Sequence, residues 1–426
     1  MPARLQALAA GAVVLSVVAA ALTGLDGRGV PPVEARWAAS ATSTAAPSHT
    51  FRQLTSDAQL RTGTAEAVSV AGGSARLVPS SSRPAGTTTY AGRTWSWGRW
   101  TSPVSTPARA FDELVPSWSA ETPANTFVRV LARVTSTTGR TSGWKVMGNW
   151  SHRDTTFRRT SAGAQRDAVA SVATDTLRAA PGTTLRSYQL RVTLFRAAGS
   201  TATPALRSVQ AVASRAGATQ PTSRPLLGAR TLAVPAYSQM THRGEYPQYG
   251  GGGQAWCSPT SLSMLLGYYG RLPAPGSYAW VAAGDTDRFV DHVARTVYDH
   301  GYRGAGNWAF NTAYAANRTG DAFVTRLSSL RDAERFVAAG VPLAASISFS
   351  RGGLAGAPIG ATAGHLVVIA GFTRTGDVVV NDPAASTNAG VRRTYDRGQF
   401  ERAWQSGSRG TVYVVHDADH PLPAGF

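Results

Sequence analysis

The sequence predicts an α+β protein in which an all-β, sandwich-like domain precedes a domain of mixed helices and strands. Residues 51–215 alternate polar and apolar side chains between frequent turn residues, which is typical of half-buried strands. From residue 232 to residue 426, apolar residues first recur at helical spacing and later form short apolar strands. Residues 216–231 contain two prolines and few apolar residues, which indicates a linker between the two domains.

The first 25 residues have the pattern of an export signal. Arg4 precedes an uncharged, mainly apolar run from Leu5 to Leu25, and small residues at 19–21 suit cleavage. The run is nearly long enough to span a membrane, so an uncleaved N-terminal anchor is the alternative. Residues 26–50 are rich in Ala, Ser, Thr and Pro, which predicts a disordered spacer. We therefore expect a secreted protein that contacts a membrane only if the first segment remains attached.

The chain is strongly basic, with a formal charge of +18 from 42 basic and 24 acidic residues. Every basic residue except Lys145 is an arginine, and the arginines are scattered along the chain. Nucleic-acid-binding proteins more often concentrate basic residues on one element with aromatic residues between them. We therefore expect no nucleic-acid partner, whereas a basic surface would suit an anionic cell envelope.

In the first domain, the clearest strands lie within Thr126–Val134, Tyr188–Phe195 and Ser208–Val212. Tryptophans are the other feature of this domain, and they occur at Trp95, Trp97, Trp100, Trp118, Trp144 and Trp150. Tryptophans in a sandwich are mostly core residues, but an exposed set would stack on the sugars of a cell-envelope polymer.

In the second domain, the stretch from residue 254 to residue 262 contains Cys257, the single cysteine of the chain. Four glycines precede it, and Leu262, Leu265, Leu266 and Tyr269 follow at helical spacing. Pro259 suits the first turn of a helix, which puts Cys257 at or just before a helix N-terminus. Backbone N–H groups and the helix dipole favour a thiolate there, and the thiolate is the reactive form. The alternative is a small buried apolar residue.

His365 begins an apolar strand that ends at Phe372, and a returning strand from Asp377 leads to Asp382 and Pro383. A four-residue loop puts Phe372 opposite Asp377, so that His365 and Asp382 are diagonal neighbours on one sheet face. A three-residue loop would separate them unless a bulge intervened. Taken singly, His365 is also explained as a core histidine and Asp382 as a turn residue.

A histidine held by a carboxylate near a thiol is the arrangement that nucleophilic catalysis needs. Gln254 precedes Cys257 by three residues, and its amide can donate to an oxyanion beside the Cys257 backbone N–H. The alternative for Gln254 is a solvated loop amide. Histidines and acids show no metal-ligand spacing, so we expect neither a metal nor another cofactor.

Five stretches resemble papain-fold cysteine peptidases of the bacteriocin-leader-processing (double-glycine) type, and more narrowly their secreted actinobacterial relatives. These stretches are residues 234–239, 256–261, 306–311, 364–372 and 381–383. The resemblance implies a papain-like domain with Cys257 as nucleophile, His365 as general base, Asp382 as orienting acid and Gln254 as oxyanion donor. Ser258 stands where glycine commonly follows the cysteine, and we expect it to narrow the site entrance.

The sequence therefore predicts a secreted cysteine peptidase that hydrolyses peptide or amide bonds of a peptide or protein substrate. Leader-processing relatives are fused to transporters, and no segment after residue 25 has the pattern of a membrane span, so a bacteriocin leader is not the expected substrate. Two alternatives remain open. One is another thiol acyl-transfer enzyme acting on cell-wall peptide amides, and the other is a non-catalytic binding protein on a peptidase fold.

Overall fold

The computed structural model describes residues 46–426. The predicted export signal at 1–25, and most of the predicted spacer at 26–50, lie outside the described residues. The first strand begins at Ser48, so regular structure starts slightly before the predicted boundary at residue 51. Within the described part of the chain, no helix is both long and apolar enough to cross a membrane.

The first domain consists of strands with one short helix, α1 (Asp57–Arg61). The strands are β1 (Ser48–Leu54), β2 (Thr64–Glu66), β3 (Val68–Ala71), β4 (Ser74–Leu77), β5 (Gly86–Tyr90), β6 (Arg93–Thr101), β7 (Glu113–Glu121), β8 (Thr126–Ser136), β9 (Lys145–Trp150), β10 (Gln165–Arg166), β11 (Ala170–Ala173), β12 (Thr176–Ala179), β13 (Leu185–Ala197) and β14 (Ala205–Arg215). They form two antiparallel sheets. One has the order β10-β11-β12-β7-β14-β4-β3 with β1 on β14, and the other has the order β2-β6-β13-β8-β9 with β5 on β6.

The strands predicted from alternation are confirmed as parts of β8, β13 and β14. Most buried side chains of both sheets belong to one hydrophobic core, and a smaller cluster contains Trp95, Phe127 and Phe195; burial of alternate side chains explains the period-two pattern. Four of the six tryptophans are fully buried, namely Trp95, Trp100, Trp118 and Trp150. Trp97 and Trp144 are half-buried beside arginines, with Arg133 and Arg191 lying 4.7 and 4.1 Å from the Trp144 ring centroid. Most of the tryptophans are therefore core residues.

The second domain combines a seven-stranded antiparallel sheet with helices. Its strands are β15 (Arg230–Thr231), β16 (Asp321–Arg326), β17 (Leu343–Phe349), β18 (Thr362–Phe372), β19 (Val378–Asn381), β20 (Arg392–Tyr395) and β21 (Thr411–His416). Its α-helices are α2 (Cys257–Tyr268), α3 (Phe289–Val297), α4 (Trp308–Thr319), α5 (Leu330–Ala338) and α6 (Arg397–Ser408). The sheet order is β16-β21-β17-β18-β19-β20 with β15 on β18, and the mixed composition confirms the α+β class.

The segment predicted as a linker, residues 216–231, lies against the second domain. Its last two residues form β15 and pair with the end of β18. Upstream of β15, Arg397 Nε donates to the Ser223 carbonyl at 2.6 Å, and the Leu226 N–H donates to Glu334 Oε2 at 2.9 Å. The segment therefore belongs structurally to the second domain, although it contains little regular structure of its own.

The two domains share a buried interface. Arg326 of β16 is fully buried, and its Nη2 lies 2.7 Å from Glu113 Oε2 of β7. Burial acts to raise the pKa of Glu113, but the charges of Arg326 and two further arginines hold it below its ordinary value. Two tryptophans of the first domain, Trp118 and Trp150, contact the Phe310 ring of α4 with centroids 6.1 and 5.4 Å away.

The stretch from residue 306 to residue 311, singled out by the resemblance, builds this interface. Asn307 caps α4 by accepting from the Phe310 N–H at 3.1 Å, and its Nδ2 donates to Asp299 Oδ2 at 2.9 Å. The Trp308 N–H donates to Asp175 Oδ2 of the first domain at 2.8 Å. The contacts of this stretch thus hold the two domains together.

Candidate active site

Cys257 is the first residue of α2, as the sequence predicts. The glycine run before it allows a close approach to an earlier loop. Gly252 has a φ of +98°, and a Cβ added to Gly253 would lie 2.3 Å from the carbonyl group of His242. Side chains at these positions would push the loop away. The glycine run therefore allows the loop to place Cys257 at the start of α2. The Cys257 side chain is partly exposed there.

Helix α2 is fixed against the central sheet by two serine hydroxyls. Ser258 Oγ lies 2.8 Å from the Tyr413 hydroxyl of β21, and Ser261 Oγ donates to the Leu366 carbonyl of β18 at 3.0 Å. Ser258 is buried and faces the sheet. The expectation that Ser258 narrows the site entrance is therefore wrong, because its side chain points into the core.

His365 and Asp382 lie on neighbouring segments of the predicted hairpin, but the hairpin loop is one residue longer than predicted. Phe372 lies opposite Val378 instead of Asp377. Since successive side chains of a strand alternate between faces, this change alone would put His365 and Asp382 on opposite faces of the sheet.

A bulge in β18 corrects the register. The pairing shifts between Ile369 and Gly371, so one extra residue of β18 is accommodated there. Beyond the bulge, Val368 lies opposite Asn381, which is the register that the four-residue loop predicted. The two deviations cancel, and the histidine and the aspartate return to the same face.

The side chains of Cys257, His365 and Asp382 lie together in one cluster. His365 Nε2 lies 2.7 Å from Asp382 Oδ1. The same imidazole lies close enough to the Cys257 thiol to lower the pKa of the thiol. His365 and Asp382 are both buried, so water competes little for these contacts.

Two further donors hold the Asp382 carboxylate. The Tyr395 hydroxyl of β20 donates to Oδ2 at 2.7 Å, and the Ala384 N–H donates to Oδ1 at 3.0 Å. Tyr395 is buried. Sequence reasoning missed this residue, because a tyrosine at the end of a short strand resembles any core aromatic. Its role follows only from the pairing of β19 with β20.

The electrostatics of the three groups are coupled. Burial acts to raise the pKa of the Cys257 thiol, but the hydrogen bond and charge of His365 hold it below its ordinary value. Burial acts to lower the pKa of His365, and the Asp382 carboxylate and the thiol raise it well above its ordinary value. Burial opposes ionisation of Asp382 as well, but His365 and Tyr395 lower its pKa. These directions favour a thiolate–imidazolium pair beside a carboxylate.

The amide of Gln254 is engaged with the glycine loop. Its Nε2 donates to the Gly251 carbonyl at 2.6 Å, and its Oε1 accepts from the Gly244 N–H at 3.0 Å. The side chain is exposed, as the loop-amide alternative expects. Its predicted role as oxyanion donor remains a prediction.

A second glutamine, Gln239, links the segment that carries Asp382 to the loop that precedes Cys257. Its backbone N–H donates to the Pro383 carbonyl at 2.9 Å, directly after Asp382, and its Nε2 donates to the Gln254 carbonyl at 2.9 Å. Gln239 is buried, which is unusual for a side-chain amide. The sequence signal for Gln239 is its place in residues 234–239, one of the stretches that resemble the family, although the resemblance implies no role for it.

Comparison with protein-family models matches both parts of the chain. Residues 231–412 match the Peptidase C39-like family, and residues 50–214 match the Peptidase C39 N-terminal domain. By these two matches the chain is similar to C39-like peptidases of the actinobacterial type. The resemblance drawn from the sequence motifs is thereby confirmed. No curated protein and no solved structure gives a significant match.

The two matched regions correspond to the two parts of the C39-like chain described above. The N-terminal family model covers the strands from β2 to β13 and most of β1 and β14, and the C39-like model covers the elements from α2 to α6 together with the segments that carry Gln239 and Asp382. Cys257, His365 and Asp382 all lie within the second region. The α+β architecture with an all-β N-terminal part is therefore common to the structure and the family assignment.

Proposed function

We propose that this C39-like chain is an active cysteine peptidase that hydrolyses peptide bonds through a thioester on Cys257. The observation that carries the proposal is the cluster of Cys257, His365 and Asp382, in which His365 is hydrogen-bonded to Asp382 and lowers the pKa of the Cys257 thiol. A thiol lowered in pKa by an imidazole, with that imidazole oriented by a carboxylate, is what thiol-dependent amide hydrolysis requires.

The first half of the reaction is acylation. The Cys257 thiolate attacks the carbonyl carbon of the scissile bond, an S–C bond forms, and the carbonyl oxygen becomes an oxyanion. The His365 imidazolium then gives its proton to the leaving nitrogen as the C–N bond breaks. The amine product leaves, and the acyl group remains as a thioester on sulfur.

The second half of the reaction is hydrolysis of the thioester. His365, now neutral, takes a proton from water while the water oxygen attacks the thioester carbon. When the C–S bond breaks, the carboxylic acid product leaves with the water oxygen, and the thiolate–imidazolium pair is restored. Asp382 keeps its charge throughout, because its function is to orient and stabilise the imidazolium.

Two glutamines are candidates for the side chain that donates a hydrogen bond to the oxyanion. Gln254 was predicted from its spacing, but one of its N–H groups is committed to the Gly251 carbonyl. Gln239 is buried, bridges the Gln254 and Pro383 backbones, and has a second amide N–H beyond the one donated to Gln254. We infer that Gln239 is the stronger candidate, because a buried and fixed donor needs no reorganisation during the reaction.

The proposed substrate is a peptide or protein outside the cell. The export pattern of residues 1–25 supports this location. The basic composition supports a site of action near an anionic cell envelope. Acyl transfer on cell-wall peptide amides uses the same thioester chemistry and differs only in the acceptor.

The experiment that tests the proposal is trapping of the acyl-enzyme. The full chain and its Cys257→Ala variant are incubated with a peptide library and, separately, with cell-wall peptide fragments, and intact protein masses are followed with product masses. We expect a transient acyl adduct on Cys257 and cleaved peptide with the natural chain only. Equal cleavage by both proteins would rule out the mechanism. A thiol of ordinary reactivity with no adduct from either library would favour a binding protein on a peptidase fold.

A further inference from the structure

Three potential metal ligands converge next to the active site, although their sequence spacing suggested no metal. Among residues 46–426, His242, Glu245 and Asp291 form a group whose ligand atoms all lie within 4.8 Å of one another. His242 Nδ1 lies 2.9 Å from Glu245 Oε2 and 3.2 Å from Asp291 Oδ2. Asp291 comes from α3, far along the chain, so only the fold brings it to the other two.

Asp291 is the unusual member of this group. Its side chain is 0% exposed. In the described part of the chain, neither of its carboxylate oxygens has a hydrogen-bond partner, and the contact with His242 Nδ1 lacks hydrogen-bonding geometry. A buried carboxylate without such partners is costly, because its ionised form loses hydration without compensation. The geometry calls for a positive charge at this position.

We propose that His242, Glu245 and Asp291 bind a divalent transition-metal cation that holds the loop before Cys257 in place. One imidazole and two carboxylates neutralise a divalent charge and offer the mixed nitrogen and oxygen ligands that Zn²⁺ and Mn²⁺ accept. The imidazole disfavours Ca²⁺ and Mg²⁺, which prefer oxygen ligands alone.

The distances fit this proposal. Ligand atoms bound at about 2.0–2.2 Å from Zn²⁺ are separated from one another by about 3 to 3.5 Å. The two separations measured from His242 Nδ1 are close to this range. A protonated His242 bridging two carboxylates is the competing explanation. With both carboxylates ionised, it would leave one negative charge uncompensated beside the fully buried Asp291.

The position of the cluster explains what the cation would do. A Cβ at Gly253 would lie 2.3 Å from the His242 carbonyl, so the two backbones are in direct contact. The Trp256 ring, one residue before Cys257, lies 6.1 Å from the His242 ring by centroids. Anchoring His242 to Asp291 of α3 therefore fixes the surface against which the Cys257 loop packs.

The test uses the full chain with Cys257→Ala as background, because a free thiol beside His365 is itself a zinc ligand. Zn²⁺ and Mn²⁺ binding are measured by calorimetry after chelator treatment, and Tm is recorded with each ion. We expect about one equivalent bound and a raised Tm. Adding Glu245→Gln or Asp291→Asn should weaken binding at least tenfold.

Two features make the outcome decisive. Glu245 is 23% exposed, so Glu245→Gln is expected to fold even if Asp291→Asn does not. Asp417→Asn is the matched control, because Asp417 pairs with His420 at 2.8 Å without belonging to the cluster, and it should leave binding unchanged. No bound ion in the Cys257→Ala protein would overturn the proposal. Binding that survives Glu245→Gln unchanged would also overturn it.

Discussion

His365 Nε2 and Asp382 Oδ1 are 2.7 Å apart because a bulge in β18 compensates for an extra residue in the following hairpin loop. The contact fixes which nitrogen of the imidazole remains for the thiol. With Nε2 engaged by the carboxylate, Nδ1 is the remaining nitrogen that can exchange a proton with the thiol. The reactivity of the thiol therefore depends on a strand irregularity close to the histidine.

The first prediction concerns the pH dependence of Cys257 alkylation. The pKa of the thiol is held below its ordinary value by His365, so the alkylation rate of the natural chain should rise at a pH below the roughly 8.5 of a free thiol. In His365→Ala the lowering by His365 is lost while burial still raises the pKa of the thiol, so the inflection should move to higher pH than in the natural chain. Rates with iodoacetamide across pH measure both.

The pH profile of peptide turnover should fall at alkaline pH, whereas the pH profile of alkylation should not. The pKa of His365 lies well above its ordinary value, so the imidazolium that protonates the leaving amine persists until alkaline pH and is then lost. Turnover should fall there while alkylation stays fast. If the alkylation rates of the natural chain and of His365→Ala had inflections at the same pH, this would contradict the thiolate–imidazolium pair.

The second prediction concerns Tyr395, a positioning residue. Tyr395→Phe removes the donor to Asp382 Oδ2, which should destabilise the fold by about 1–3 kcal/mol and lower kcat about tenfold. Because the carboxylate loses a group that lowers its pKa, the acid limb of the turnover profile should move to higher pH.

Tyr269→Phe is the matched control for this experiment. The Tyr269 hydroxyl donates to the Val415 carbonyl at 2.7 Å, so the change removes a hydrogen bond of the same type without touching Asp382. Tyr269→Phe should lower the free energy of unfolding and leave the pH profile of turnover unchanged. Equal activity losses in the two variants would show that Tyr395 acts through stability alone.

The third prediction separates the two glutamines. Removing an oxyanion donor lowers kcat by about 10²–10³. We expect a loss of this size for Gln239→Leu, and a loss below about tenfold for exposed Gln254→Leu. Steady-state kinetics with one cleaved peptide, together with the Tm of each variant, make the comparison. The opposite ranking would restore Gln254 as the donor.

The fourth prediction concerns the buried ion pair between the domains. Glu113→Gln leaves the buried charge of Arg326 without its carboxylate partner and should lower the free energy of unfolding by about 3–5 kcal/mol. Arg326→Met should cost less, because Arg178 still pairs with Glu113. The double variant should lose less than the two single losses added together. Urea unfolding of all four proteins measures this coupling, and strictly additive losses would contradict it.

The same pair makes stability depend on pH. The pKa of Glu113 in the folded chain is below its ordinary value of 4.5, so its contribution is present above that pH and is lost as the pH falls through the folded pKa. Glu113→Gln should flatten this acid limb of the stability profile.

Local patterns in the sequence were sufficient to predict the start of α2 at Cys257 and the strand that carries His365. The glycine run, the proline and the helical spacing all act within one or two turns of the cysteine. The hairpin that brings Asp382 to His365 was also predicted, but its loop length and bulge were not. Both depend on which residues pair across strands, and the two errors had opposite effects on register.

Long-range contacts were beyond the reach of the sequence patterns. Tyr395 meets Asp382 only after β20 pairs with β19, and Asp291 meets His242 only after α3 packs beside the loop. Residues 216–231 showed the composition of a linker, yet side-chain hydrogen bonds hold them to the second domain. Composition reports how a segment behaves alone, and these contacts exist only in the assembled chain.

The contacts of Phe310 with Trp118 and Trp150 have a consequence for how this chain evolves and how it is engineered. A Cβ added to Gly148 would lie 2.8 Å from the Phe310 ring, so the surface of the first domain at Gly148 closely fits the Phe310 side chain. If the first domain were replaced by one from an unrelated protein, the new surface would leave a cavity around Phe310 or clash with its ring. We therefore expect the two domains to be stable only together, so that a protease cut between them would not release an independently folded second domain.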